Sequence, residues 1–89
     1  MFDEYTERAI ARLEEKRAKG ERLTKEDRLL LLMSDGCWHF GSELSERVSW
    51  RFGGYLFNLK EAGIRWEKER VRGIKDAVVY QYRLVPKEV

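Results

Sequence analysis

Few residues in this chain have the types and spacing that chemistry requires. Arg51 and Asn58 are seven apart on a helical pattern, so they share a face. A guanidinium and a carboxamide there could each make two hydrogen bonds, to guanine and adenine edges respectively. His39 is the only histidine. As a general base it would need a nucleophile or carboxylate placed beside it, and the local sequence nominates none. Cys37 lies two residues from His39 with no second Cys or His in the chain, which argues against a zinc site built by one chain. Gly53-Gly54 falls inside a helical pattern and lacks the spacing of a phosphate-binding loop. Glu14-Glu15 sits on a solvated helix, and no Ser/His/Asp or Cys/His set has local support. The expectation is a protein without catalytic residues, metal or cofactor.

Charge gives the next clue. The 89 residues carry a net charge of only +2, but it is uneven. Residues 1–36 hold eight basic and nine acidic side chains. Residues 47–83 hold nine basic and four acidic, a local excess of +5. Such an excess suits a phosphate backbone, although Lys and Arg also simply solubilise a surface. A lone thiol cannot form an internal disulfide and fits a reducing compartment. No apolar run approaches the length of a membrane span, and the charged N-terminus does not resemble a signal peptide. The expected location is cytoplasmic, with no membrane partner.

The elements that must position these residues follow from periodicity. With 43% hydrophobic residues and three Trp, the chain can build one small core. Residues 3–19 read as a charged helix capped by Asp3, with a narrow stripe of Phe2, Tyr5, Ala9, Ile10 and Leu13. Glu15 and Lys19 are spaced to pair, and Gly20 ends the helix. A helix this polar needs a surface for its stripe, either its own domain or a second copy. Thr24 opens the next helix, with Asp27 three residues on, close to a capping box. Leu29, Leu30, Leu32 and Met33 cover one arc of it. Leu31 points away, and burying it against the stripe would stabilise by about 1.5–3 kcal/mol.

Asp35-Gly36 then turns the chain, and Cys37–Phe40 reads as a short edge strand with Trp38 and Phe40 on one face. Ser42 is the expected cap of a helix with Glu43 and Glu46 in its first turn and Leu44 and Val48 on one face. Ser49 ends that helix's turn and caps the next one. Trp50–Ala62 presents Phe52, Tyr55, Leu56 and Leu59 inward, and Trp50, Arg51, Gly54, Phe57, Asn58 and Glu61 outward. Gly53-Gly54 costs helix stability, about 1 kcal/mol each relative to Ala. The reason is either close approach of a ligand or tight packing of two helices. Gly63 stops the helix. Two strands, 64–71 and 78–85, flank a loop carrying Arg72 and Lys75. Val78, Tyr80, Tyr82 and Leu84 are expected on the core face, and Arg65, Glu67 and Glu69 on the outer side, interrupting the basic surface. Pro86 ends the sheet. The division is therefore 1–22 (helix and linker), 23–86 (domain) and 87–89 (tail).

The order Asp-Gly, Trp, Glu-Leu, Arg-Phe-Gly, Leu-Lys-Glu-Ala-Gly-Ile, basic hairpin, Tyr-Gln-Tyr-Arg-Leu resembles winged helix-turn-helix domains, most of all small bacterial and phage-type members. The resemblance covers Thr24 to Val85. It implies an α+β fold, a three-helix core with a two- to three-stranded β-wing, to which this chain adds an N-terminal helix. It also implies double-stranded DNA as partner and the role of a small transcriptional or phage-type regulator. The residues expected on DNA are Ser49, Trp50, Arg51, Gly54 and Asn58 from the second helix of the motif, with Arg70, Arg72 and Lys75 from the wing. The alternative is a protein-interaction module in which Trp50 and Phe57 bind a protein partner and DNA plays no part. The exposed aromatic pair and the N-terminal stripe also predict weak self-association as a symmetric homodimer.

Overall fold

The computed structural model describes residues 1–73 and 77–87. Among these residues the fold is α+β, with four helices and one three-stranded antiparallel sheet: α1 (Glu4–Ala18), α2 (Lys25–Met33), β1 (His39–Phe40), α3 (Gly41–Arg47), α4 (Phe52–Glu61), β2 (Trp66–Arg72) and β3 (Val78–Leu84). The strand order is β1-β3-β2. The short first strand is an edge, as its sequence suggests.

Local signals set the helix ends. Asp3 caps α1, its Oδ1 accepting from the Thr6 amide at 2.7 Å. This amide, together with the Thr6 side chain, holds the Asp3 carboxyl below its usual range. Thr24 and Asp27 form the reciprocal capping box, each backbone amide donating to the other's side chain at 3.1 Å. Lys19 and Glu15 pair at 3.0 Å. The next two helices start differently from expectation. Phe40, not Ser42, precedes α3, and Arg51 precedes α4, with no side-chain cap in either case. The helix expected over Trp50–Ala62 is therefore shorter, Phe52–Glu61. Trp50 and Arg51 belong to the turn in front of it.

The core joins all the helices. Phe2, Ile10 and Leu13 from the N-terminal segment lie in one buried cluster with Leu29, Leu30, Met33, Leu44, Leu56, Leu59, Ile64 and Leu84. The N-terminal helix thus folds onto its own domain. Its inward stripe is Phe2, Thr6, Ile10 and Leu13, while Tyr5 stays 55% exposed. The Tyr5 ring lies across the Gly63 turn, within 3.5 Å of where a Cβ would stand, and Gly63 has φ +95°. Gly36 (φ +75°) is equally constrained, because Met1 Sδ sits 2.9 Å from the site of a Cβ. Leu31 has not been closed over by the stripe. It is half-buried like Leu32, which was expected in the core arc. Both line a groove described below.

Two contacts fix the sheet on α4, and a third joins their sheet residues to each other. Trp66 Nε1 donates to the Leu56 carbonyl at 2.7 Å. Tyr82 meets Phe52 edge-on at 5.6 Å between centroids, and Trp66 at 6.1 Å. Burial raises the Tyr82 phenol's pKa, with Tyr80 adding to it. Only the inner half of β3 covers the core: Leu84 is fully buried, but Val78 and Tyr80 are 47% and 41% exposed. The sequence placed all four on the core face. The face is shared, but the hairpin outruns the helices beneath it.

Candidate nucleic-acid interface

The candidate surface has two parts, the turn into α4 with the outer side of that helix, and one face of the β2–β3 hairpin. Phe52 N donates to Ser49 O at 3.0 Å, and Arg51 N to Ser49 Oγ at 3.2 Å. Ser49 shapes the turn in this way and does not cap the helix. The turn pushes Trp50 into solvent, 75% exposed, with the Arg51 guanidinium 5.0 Å from its ring centroid. Along α4, Gly54, Asn58 and Glu61 continue from Arg51 as one exposed row, flanked by Phe57 at 59% exposure. A Cβ at Gly53 or Gly54 would meet nothing within 4 Å. Tight helix–helix packing therefore does not explain these glycines. They leave the first turn of α4 bare toward solvent.

The hairpin sorts its charges by face. Register pairs Trp66 with Leu84, Lys68 with Tyr82, Arg70 with Tyr80, and Arg72 with Val78. Directly paired residues point the same way, so Lys68, Arg70 and Arg72 share the face whose inner end is buried on α4. Lys68 Nζ lies 5.1 Å over the Tyr80 ring. The other face holds Glu67, bonded to Arg83 Nε at 2.6 Å, and Glu69, bonded to Gln81 Nε2 at 3.1 Å. Arg83 in turn stacks on Trp38 at 4.5 Å. The acids expected to interrupt the basic surface are on the opposite side of the sheet.

The two parts adjoin. Leu56 touches the Trp66 row, and Phe52, one turn earlier, touches the Tyr82 row. The hairpin thus runs outward alongside α4 toward the helix's N-terminal end. Ser49, Trp50, Arg51, Gly54 and Asn58 lie along the turn into α4 and its outer side, and Arg70 and Arg72 lie on the hairpin face that carries Lys68. Lys75 lies outside the described residues. The sequence reading missed Lys68, although strict alternation along β2 would have found it.

A second polar centre was missed entirely. His39 is 6% exposed, and both of its ring nitrogens face carboxylates. Nε2 is 2.9 Å from Asp35 Oδ1, and Nδ1 is 3.0 Å from Glu43 Oε1. The sequence had nominated no carboxylate beside this histidine, yet both lie four residues away, one on each side. The spacing looked uninformative because the segment is turn, strand and helix, not one helix. Carboxylates only accept, so both nitrogens must donate, which requires the imidazolium. Burial pulls the His39 pKa down, but the hydrogen bonds and charges of Asp35 and Glu43 outweigh it and leave the pKa raised. With both nitrogens occupied, the ring has no lone pair for a substrate. Glu43 also accepts from Arg47 at 3.2 Å, and Asp35 Oδ1 accepts from the Cys37 amide at 2.9 Å. The cluster ties the end of α2 to β1 and α3.

No family model, curated protein or solved structure matches the chain. No described helix is long and apolar enough to cross a membrane.

Proposed function

We propose that this chain is a winged-helix DNA-binding module, a small regulator that acts by binding and not by catalysis. α2, α3 and α4 form the three-helix core, the β2–β3 hairpin is the wing, and α1 is an addition packed on the core. The observation that carries the reading is the basic wing face. Lys68, Arg70 and Arg72 share it, paired across the strands with Tyr82, Tyr80 and Val78, while Glu67 and Glu69 lie on the other face. Wing cations meet phosphates and set orientation, which is sequence-blind work. Arg51, in the turn before α4, and Asn58, on the helix, are the side chains there suited to base edges in a major groove. Open space over Gly53 and Gly54 permits close approach of the duplex backbone.

A protein-binding surface is the second reading, favoured by one observation: Trp50 and Phe57 are the most exposed aromatic side chains of this region. The test is salt-dependent binding of the full chain to random and genomic DNA fragments. The DNA reading expects binding that weakens steeply with salt. It also expects Arg51→Ala or Asn58→Ala to cost about 1–3 kcal/mol on a selected site and much less on random DNA. An Arg51→Ala protein that holds its site as well as the parent rejects readout by this helix. Absence of salt-dependent binding to any duplex rejects the reading as a whole.

A further inference from the structure

A groove of about 720 Å³ lies between the end of α1, α2 and the turn that follows α3, on residues the DNA reading does not use. Its floor is aliphatic, made by Leu23, Leu31, Leu32 and Val48, each only half-buried. Its rim carries Arg17, Arg28 and Arg47. The rim charges are not equivalent. Arg47 is matched by Glu43 at 3.2 Å. Asp35, also at the rim, is engaged by His39 at 2.9 Å. Arg28 is oriented by a hydrogen bond of 3.2 Å from its Nη2 to the Arg47 carbonyl, which fixes the guanidinium without neutralising it. Among the described residues neither Arg17 nor Arg28 has an acidic partner, and the remaining acid of the lining is Glu21. The groove therefore joins a water-exposed aliphatic floor to one uncompensated positive charge.

This combination fits one kind of occupant. An apolar body would cover the four aliphatic side chains, and a single anionic head would complete the charge. The volume is within the range of small-molecule sites, about 300–1,000 Å³. We propose that the groove binds a small organic monoanion, a carboxylate on an aliphatic body, with its head group on Arg28 and Arg17 and its chain over Leu31 and Leu32. The proposal stands apart from the DNA reading, because it uses other residues.

The test is titration of the full chain with sodium octanoate, kept below its micelle concentration, followed by calorimetry and by amide chemical shifts. Octyltrimethylammonium, with the same tail and the opposite charge, is the control. The expected result is saturable one-to-one binding of octanoate, with shifts centred on Leu31, Leu32 and Val48, and none for the control. Arg28→Gln should weaken octanoate binding by about tenfold or more, since a charge-assisted contact is lost. Arg28 is exposed, so its substitution leaves the core untouched, and circular dichroism checks this. Leu31→Asp should abolish binding by placing an acid on the floor. Equal binding of both amphiphiles, shifts spread over the exposed hairpin residues, or an Arg28→Gln protein that binds as the parent does would overturn the proposal. Preference for an acidic helical peptide, with octanoate failing to bind, would also overturn it and reassign the groove to a protein.

Discussion

The His39 cluster and the basic face of the hairpin use charged side chains to opposite ends. In the cluster one cation is held inside the molecule by two acids, with every ring nitrogen satisfied. On the hairpin Lys68, Arg70 and Arg72 share a face and are exposed to solvent. Inside, a missing partner costs the full desolvation of what is left. Outside, water and salt screen each charge, and single ion pairs contribute little to stability. Charged side chains therefore divide between fold and ligand according to burial. The chain should be breakable in stability at the cluster and in binding at the hairpin, each with little effect on the other.

The largest expected effect is on the cluster. His39→Ala should lower stability by about 1.5–3 kcal/mol in urea unfolding, the range for hydrogen bonds to charged groups. The cost stays below that of a fully buried pair because the Asp35 and Glu43 side chains are 48% and 32% exposed and regain water. DNA affinity, corrected for the folded fraction, should hardly change. A His39→Ala protein as stable as the parent would show that the carboxylates, not the imidazolium, hold β1 and α3 in place.

A pH series sharpens the same side of the comparison. The folded pKa of His39 lies above its ordinary 6.5. By linkage, the stabilisation is complete below that ordinary value and is lost as pH rises through the raised folded one. Stability should thus decline as pH rises above that ordinary value and through the raised one. The groups that face the ring are Asp35 and Glu43, with Arg47 behind Glu43, and Tyr82 is its partner across the strands. His39→Ala should flatten the slope. A parent protein whose stability rises over that interval would place the neutral form in the fold.

How far the sequence carried these two regions differs, and for physical reasons. The capping box at Thr24, the Asp3 cap, the helix stop at Gly63 and the inward row of α4 were legible because they depend on neighbours in the chain. So was the outward placement of Trp50, Arg51, Gly54, Phe57 and Asn58. The His39 cluster was not. Asp35 and Glu43 converge only because a turn and a two-residue strand fold back to the same spot. The hairpin was half legible: alternation gave the two faces and which of them meets the core, but not that Lys68, Arg70 and Arg72 continue the core-side face, apart from Glu67 and Glu69. That depends on Trp66 and Tyr82 docking on Leu56 and Phe52, contacts made across the fold. The outer exposure of Val78 and Tyr80 was hidden for a similar reason, because the length of a strand does not tell how much of it is covered.

On the hairpin, single substitutions should leave stability within about 0.5 kcal/mol, as exposed sites usually do. Their effect should appear in the salt slope. Lys68→Ala, Arg70→Ala and Arg72→Ala should each lower it by about one, and each should weaken binding to random and selected DNA alike. Lys68 has a second tie through the Tyr80 ring, so its replacement also loses a weak cation–π contact. If one of the three changed preference among sequences instead of the slope, the hairpin would be reading bases.

The smallest expected effect separates face from net charge. Gln81→Lys adds one positive charge to the hairpin, but on the side that carries Glu67 and Glu69. Its stability cost should be slight, since the lysine replaces a hydrogen bond to Glu69 with an exposed ion pair. If DNA lies along the other face, the added charge is directed away from the phosphates, with the thickness of the sheet and the neighbouring acids between. The salt slope should then stay as in the parent, and affinity should move by less than about twofold at physiological salt, where screening acts within about 8 Å. Tyr80→Lys, one strand position earlier and on the basic face, should instead raise both. Equal gains from the two substitutions would mean that the hairpin attracts DNA by its total charge, and the segregation of its faces would have no part in binding.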